Sequence, residues 1–267
     1  MNKLEKLKEF FREKGRIAVA YSGGVDSTFL IKVAHDVLGD NCLAITAISP
    51  SFPHRERDEA AEFLEKEGIK HITFHSNELS LEEYVSNPVD RCYHCKKYLF
   101  SNMVQLAKDH GFPILVEGSN MDDIGDYRPG MRAIRELNVL SPLQICDLSK
   151  AEIREYSKEL HLPTWDKSSF ACLATRFVYG HRITKEGLER AEKAENVLKD
   201  LGLTQYRVRV HGNLARIEVK PEDFIVILNN NEMIDTKFKE FGFDYVSLDL
   251  KGYRTGSMNE VLRKDKK

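Results

Sequence analysis

The chain has 267 residues, enough for one large core or for one medium and one small core. Hydrophobic residues make up 42% and charged residues 31%, and 40 basic against 42 acidic side chains leave a net charge of −2, a balance that speaks against a large nucleic-acid partner. No apolar run approaches the roughly 18 residues of a membrane span, and Met1 to Lys6 lack a signal-peptide core. The expectation is therefore a cytoplasmic protein with no membrane partner, in which five cysteines point to metal or reactive-sulfur chemistry before disulfides.

Leu4, Leu7, Phe10 and Phe11 recur at helical spacing and predict an opening amphipathic helix. The apolar run Ile17 to Tyr21 then feeds Ser22-Gly23-Gly24-Val25-Asp26-Ser27, and Thr28 to Ala34 continues as a helix. Two adjacent glycines let the backbone bend and approach an anion without a Cβ in the way. The unpaired N–H groups of the helix's first turn point at that anion, and Ser22, Ser27 and Thr28 add hydroxyls. A helix dipole offers only about 0.3–1 kcal/mol, so a polyphosphate needs converging donors and a cation. Asp26 is the candidate helper of Mg²⁺, and Ala20, Ser22, Gly23, Gly24, Asp26, Ser27 and Thr28 are the candidate ATP contacts. Neither G-x-x-x-x-G-K-[ST] nor G-x-G-x-x-G occurs. The turn instead resembles the PP-loop, SGGxDS, of N-type ATP pyrophosphatases, which cleave ATP between its α and β phosphates.

Apolar runs follow at Leu43 to Ile48, His71 to Phe74, Pro113 to Val116 and Val139 to Leu140, separated by helical patterns at Arg55 to Gly68 and Tyr93 to Gly111. The alternation predicts an α/β fold, a doubly wound parallel sheet of five strands with ligands at the carboxyl ends. Ser149 and Glu152 read as a capping box opening a helix that runs through Leu160. Thr164 to Gly180 has no period and reads as a functional loop, with Trp165 as core; Lys185 to Leu201 is again helical. Tyr206 to Val210 and Leu214 to Val219 alternate about a turn and predict a hairpin. A helical stretch from Pro221 to Phe241 and a strand from Tyr245 to Leu250 complete a small α+β domain, and the charged Arg263 to Lys267 are expected to fray. The predicted organisation is a nucleotide domain over 1–182 and a C-terminal domain for substrate binding and oligomerisation over 183–267.

Cys92-Tyr93-His94-Cys95 opens a predicted helix, where the terminus favours thiolates. With Cys172 it makes three thiols, a set that suits an iron–sulfur cluster with one iron left open, a redox or persulfide-carrying thiol set, or zinc completed by His94 or water. Cys42 and Cys146 lie in apolar runs and read as core. On the hairpin, Arg207, Arg209 and His211 share one face, as do Arg216 and Glu218 on the partner strand. Paired guanidiniums suit a phosphate or a carboxylate. Asp122 and Asp123 fit a helix start.

The phosphate turn together with Glu117-Gly118-Ser119-Asn120-Met121-Asp122-Asp123, Asp126-Tyr127-Arg128-Pro129-Gly130, Arg176-Phe177-Val178-Tyr179-Gly180, Arg207-Val208-Arg209 and Gly252-Tyr253-Arg254-Thr255-Gly256 resembles the LarE family. The resemblance implies an ATP-dependent sulfurtransferase. It would adenylylate a carboxylate of pyridinium-3,5-biscarboxylate mononucleotide and replace the AMP with sulfur, on the way to the nickel-pincer nucleotide of lactate racemase. It also implies substrate contacts at Arg128, Thr175, Arg176, Arg207 and Arg209, a [4Fe–4S] cluster on Cys92, Cys95 and Cys172, catalytic roles for Cys172 and Asp26, sulfide or another sulfur donor as partner, and homo-oligomers. Relatives that sacrifice a cysteine carry it five residues before the loop arginine; here Ala171 holds that place and Cys172 lies four before Arg176. Competing readings are a PP-loop tRNA thiolase with the same three cysteines, an amidotransferase-like synthetase, and a non-catalytic nucleotide sensor.

Overall fold

The computed structural model describes residues 2–124, 129–168 and 171–259. In chain order they form α1 (Lys3–Lys14), β1 (Ile17–Ala20), α2 (Val25–Leu38), β2 (Cys42–Ile48), α3 (His54–Lys66) and β3 (His71–His75). Next come α4 (Glu82–Val85), α5 (Arg91–Asp109), β4 (Ile114–Val116), α6 (Gly130–Glu136), α7 (Pro142–Ile145) and α8 (Lys150–Glu159). The chain ends in α9 (Lys185–Asp200), the strands β5 (Tyr206–His211) and β6 (Leu214–Val219), α10 (Phe224–Asn229), α11 (Asn231–Glu240) and β7 (Tyr245–Leu248). These elements group into two compact units, Met1–Glu78 with Asp90–Phe170, and Leu79–Val89 with Ala171–Lys267. The predicted fraying at Arg263 to Lys267 lies outside the described residues.

The first unit is α/β, as expected. Its four strands are parallel, in the order β3-β2-β1-β4. The two-residue period of β1 sorts its side chains: Ile17 and Val19 pack with Leu7, Phe29, Phe63 and Ile153, while Ala18 packs with Leu43, Phe100, Met103 and Ile134. Helices α1, α2, α3 and α8 therefore cover one face and α5 and α6 the other. Each fully buried Leu, Ile or Phe adds roughly 1.5–3 kcal/mol of transfer free energy. The predicted fifth strand is reduced to one parallel bridge between Leu140 and Val116. Leu140 still makes both ladder bonds, donating to Leu115 O and accepting from Glu117 N. Asn138 turns with φ 54° just before it, and Pro142 opens α7 just after, so no longer strand fits.

The capping box forms as read. Ser149 Oγ accepts from Glu152 N, and the Glu152 carboxylate accepts from Ser149 N and from Lys3 of α1. The Lys3 bond and those from Ser149 hold the Glu152 carboxyl down at about 2.

In the second unit β5 and β6 form the predicted antiparallel hairpin, and β7 adds to β6 in parallel. Gly212, φ 64°, makes the tight turn. The unit begins at Ala171 where the sequence placed its boundary at 183, and it includes 79–89. The cause is a set of hydrogen bonds. Asn87 Nδ2 donates to Val178 O at 2.7 Å, Ile183 N to Val85 O at 2.8 Å and Gly180 N to Asn87 O at 2.9 Å. Arg182 grips Glu82 with both terminal nitrogens.

Candidate active site

Strand order reverses between β1 and β4, because β2 and β3 lie on one side of β1 and β4 on the other. In open parallel sheets ligands bind outside the carboxyl ends of the strands at such a reversal, here those of β1 and β4. The Ser22–Ser27 turn follows β1 there. Gly23 has φ 67°, and a Cβ on it would sit 2.6 Å from the Cβ of Ala60 in α3, so both conformation and space demand glycine. Ser27 Oγ closes the turn, 3.1 Å from Ser22 Oγ and donating to Gly24 O at 3.3 Å. Glu117-Gly118-Ser119 follows β4 and lies over the start of α2. A Cβ on Gly118 would come within 3.2 Å of Ser27 N and 3.3 Å of Asp26. The buried Glu117 carboxylate holds that segment by accepting from Ser119 Oγ at 2.8 Å and Ser141 Oγ at 2.5 Å.

Asp26, on the first turn of α2, is engaged on both oxygens: Asn120 Nδ2 donates at 3.1 Å and Lys150 Nζ at 2.5 Å. Lys150 opens α8, and its own N–H donates to Asp122 at 2.6 Å. Asn120 and Asp123 close a reciprocal cap over the 3₁₀ turn Met121–Asp123, so Asp122 and Asp123 do start a helical turn.

Within the second unit, Cys172 caps a 3₁₀ turn, Leu173–Arg176. The Arg176 side chain is fully buried. Its Nε and Nη2 each donate at 2.8 Å to Glu195 of α9, and Nη1 donates to Ala171 O, Cys172 O and Thr175 Oγ1. Glu195 also accepts from Val208 N of β5 at 2.9 Å. These bonds tie the Arg176 guanidinium to the framework under Thr175 and Cys172.

The hairpin register sets Arg207 opposite Glu218 and Arg209 opposite Arg216, so these side chains share a face, as predicted. Arg209 is bonded too, donating to Glu218 at 2.7 and 3.0 Å, to Thr175 O at 2.9 Å and to Ser257 Oγ at 3.0 Å. Glu218, itself fully buried, accepts from Arg216 at 3.0 Å as well. Arg207 is buried with its guanidinium over the Tyr253 ring at 5.4 Å and donates to Tyr206 O. Burial, then the neighbouring Arg176 charge, lowers its proton affinity below the usual arginine range. Burial and the Arg216 charge likewise lower His211. The face holds more positive than negative charge and suits an anion.

The five cysteines divide by environment, and none is in a disulfide. Cys42 and Cys146 are buried; burial pushes the Cys42 thiol up to about 12 and raises Cys146. Cys92 is exposed, and Cys95 and Cys172 are half-buried. Cys92 and Cys95 lie one turn apart at the start of α5, and Arg91 Nη2 is 3.8 Å from Cys92 Sγ. The turn is fastened by Tyr93, whose hydroxyl donates to Glu136 of α6 at 2.9 Å under the Arg132 guanidinium. In donor chemistry the accessible thiols fit an iron–sulfur group. Among the described residues no three His, Cys, Asp or Glu side chains gather around a common point.

No family model matches the chain. It is 46% identical, over 98% of its length and 99% of the relative's, to the uncharacterized protein slr1717 of Synechocystis. It is 37% identical, over 93% of its length and 91% of the relative's, to a Lactiplantibacillus plantarum protein named pyridinium-3,5-bisthiocarboxylic acid mononucleotide synthase. The chain belongs to the LarE family. A more distant likeness, 26% identity over 70% of the chain and 64% of the relative, to a component of the glutamine-hydrolyzing GMP synthase of Thermoplasma volcanium fits the PP-loop superfamily. By that membership the LarE-family chain is an enzyme, an ATP-dependent sulfurtransferase.

In this LarE-family chain the first unit brings the predicted nucleotide contacts from Ala20 to Thr28 together at one strand end. The second unit brings Thr175, Arg176, Arg207 and Arg209 together with Cys172. Arg128 lies outside the described residues. Sequence reasoning missed Lys150 and Glu195, and it gave Asn120 and Glu218 no partners. Lys150 read only as the residue after a cap; nothing local linked it to Asp26, 124 positions away. Trp165, expected in the core, is 39% exposed with Lys158 above its ring. Arg154 holds this stretch at the surface through the carbonyls of Trp165 and Lys167. No helix among the described residues is long and apolar enough to cross a membrane.

Proposed function

We propose that the chain activates a carboxylate of pyridinium-3,5-biscarboxylate mononucleotide with ATP and exchanges the resulting AMP for sulfur, in nickel-pincer nucleotide synthesis. The observation that carries this reading is the Ser22–Ser27 turn at the reversal point of a parallel sheet, with Gly118 pressed onto its helix. The 37% identical synthase supports the substrate.

In the first step a carboxylate oxygen bonds to the α-phosphorus of ATP as the bond to the β-phosphate oxygen breaks, and pyrophosphate leaves. Ser22, Ser27, Thr28 and the first N–H groups of α2 are the donors for the polyphosphate, and Asp26 is the helper of Mg²⁺. In the second step sulfide bonds to the carbonyl carbon and AMP leaves with the oxygen. A carboxylate accepts sulfur only after its oxygen has become such a leaving group, and exclusion of water protects the adenylate from hydrolysis. The mononucleotide phosphate is assigned to Arg207, Arg209 and Thr175, where the excess of guanidinium charge favours it; Arg176 positions Thr175 and Cys172.

Cys92, Cys95 and Cys172 are the thiols that would hold a [4Fe–4S] cluster, which when bound supplies a site for the transferable sulfide. Their accessibility, against the burial of Cys42 and Cys146, supports this assignment, and a reducing cytoplasmic setting goes with five free thiols. Homo-oligomeric assembly is part of the proposal and rests on the family resemblance.

Anaerobic incubation with ATP, Mg²⁺ and the pyridinium mononucleotide, followed by mass spectrometry, tests the reaction: thiocarboxylate product with AMP and pyrophosphate is expected. An unmodified substrate would end the proposal, and a polypeptide lighter by about one H₂S would make a cysteine the sulfur source. Anaerobically purified protein is also expected to be brown and to lose that absorbance on Cys92→Ala, Cys95→Ala or Cys172→Ala but not on Cys42→Ala. A colourless preparation carrying stoichiometric zinc would remove the cluster from the assignment.

A further inference from the structure

A pyridinium mononucleotide joins a phosphate to a ring with a permanent positive charge. Arginines suit the phosphate but repel the ring, so the ring needs a partner of another kind. In the second unit Tyr253 already holds a cation: the Arg207 guanidinium lies over its ring, 5.4 Å from the centroid. The contact is loose beside the 3.5 Å of Arg132 over Tyr93. Arg207 is buried, and the charges of Arg176 and Arg209 press on it, so an arriving phosphate would draw it off the ring. The backbone that carries the ring is fixed. Gly252 turns with φ 68°, and a Cβ there would sit 2.7 Å from Val219 O, so the chain lies directly on the end of β6. Asp249 N donates to Ile217 O at 2.9 Å and Tyr253 N to Val219 O at 2.8 Å. On either side of the turn the Asp249 carboxylate faces Arg216 and Arg254. The Tyr253 side chain is half-buried.

We propose that Tyr253 is a substrate-binding residue whose ring face receives the pyridinium cation as Arg207 moves from that face to the mononucleotide phosphate. The proposal rests on reading the chain as acting on a pyridinium mononucleotide. One cation then replaces another over the same ring, and the electron-rich face stays covered before and after binding. The exchange makes Tyr253 a specificity residue, because a neutral ring of the same outline gains nothing from the quadrupole that holds a charged one.

Calorimetric titration without ATP tests this independently of turnover. The two probes are pyridinium-3,5-biscarboxylate mononucleotide and its 1,4-dihydropyridine form, which carries the same phosphate and carboxylates on a neutral ring. Tyr253→Leu is expected to lower the ratio of affinities, charged ring over neutral ring, by about threefold to thirtyfold, the range of a cation–π contact from an exposed to a desolvated setting. Tyr253→Phe keeps the aromatic face and should hold the parent ratio within about twofold. A ratio measured on one preparation does not depend on its folded fraction; should the Leu variant not fold at all, Tyr253→Met takes its place. A parent-like ratio in a folded Leu or Met variant would overturn the role of Tyr253 alone, and so would a fall in the Phe variant equal to that in the Leu variant. Failure of the parent chain to bind either probe would overturn the mononucleotide reading, and Tyr253 with it.

Discussion

Asp26→Ala is expected to lower pyrophosphate release at least about a hundredfold, the scale on which loss of one preorganised electrostatic group slows a reaction, with the fold left intact. The carboxylate is the acidic side chain on the first turn of α2, the position assigned to a phosphate in the proposed reaction. It also accepts from Lys150 Nζ. Removal therefore takes away the oxygen offered to a cation at the moment negative charge moves onto the leaving pyrophosphate. Stability should hardly change. The Asp26–Lys150 pair is partly exposed, and such pairs contribute about 0–1 kcal/mol; Val25, Phe29 and Leu30, which bury α2, are untouched. Coupled pyrophosphate detection and thermal melting on the same sample decide the matter. Turnover equal to that of the parent chain would contradict the role given to Asp26.

The largest stability effect is expected at Arg176. Its side chain and that of Glu195 are almost completely buried, at 0% and 4% exposure. Breaking a buried pair by removing one partner costs about 3–5 kcal/mol, because the other charge stays behind unpaired. Arg176→Met should therefore lower the denaturation free energy of the second unit by that amount. Arg176→Lys should recover little, since one ammonium cannot reproduce a fork that meets both Glu195 oxygens and three oxygens of the 171–175 segment. Hydrogen exchange should quicken at Thr175 and Phe177, whose N–H groups donate to Cys172 O and Ala174 O. ATP binding, assigned under the proposal to residues of the first unit, should persist. A loss below about 1 kcal/mol by chemical denaturation would mean the pair is not sealed from water.

What the sequence made legible was local. The glycines at 23 and 24, the Ser149 cap and the alternation at 206–219 act over a few residues, so their physics is written in neighbouring letters. Pairing across distance was not legible. Nothing near Glu195 or Glu218 in the sequence marks either for burial, yet each is buried because an arginine elsewhere in the chain neutralises it. The same reason hid the pairing of Arg176 with Glu195, 19 positions on. The fifth strand failed on a steric point: Val139 and Leu140 have strand character, but a left-handed asparagine and a proline crowd them on either side.

The excursion of residues 79–89 has a bearing on how this protein can be made. The ribosome releases that segment long before residues 171–184, to which Asn87 and Val85 are hydrogen-bonded. Early in synthesis the stretch is a tether with nothing to hold, hanging between β3 and the helix that bears the Cys92–Cys95 pair. A fragment starting at 171 lacks residues 79–89 of its own unit, and one ending at 170 carries that stretch without its partners, so dissection of the enzyme calls for circular permutation or a spliced linker in place of simple truncation.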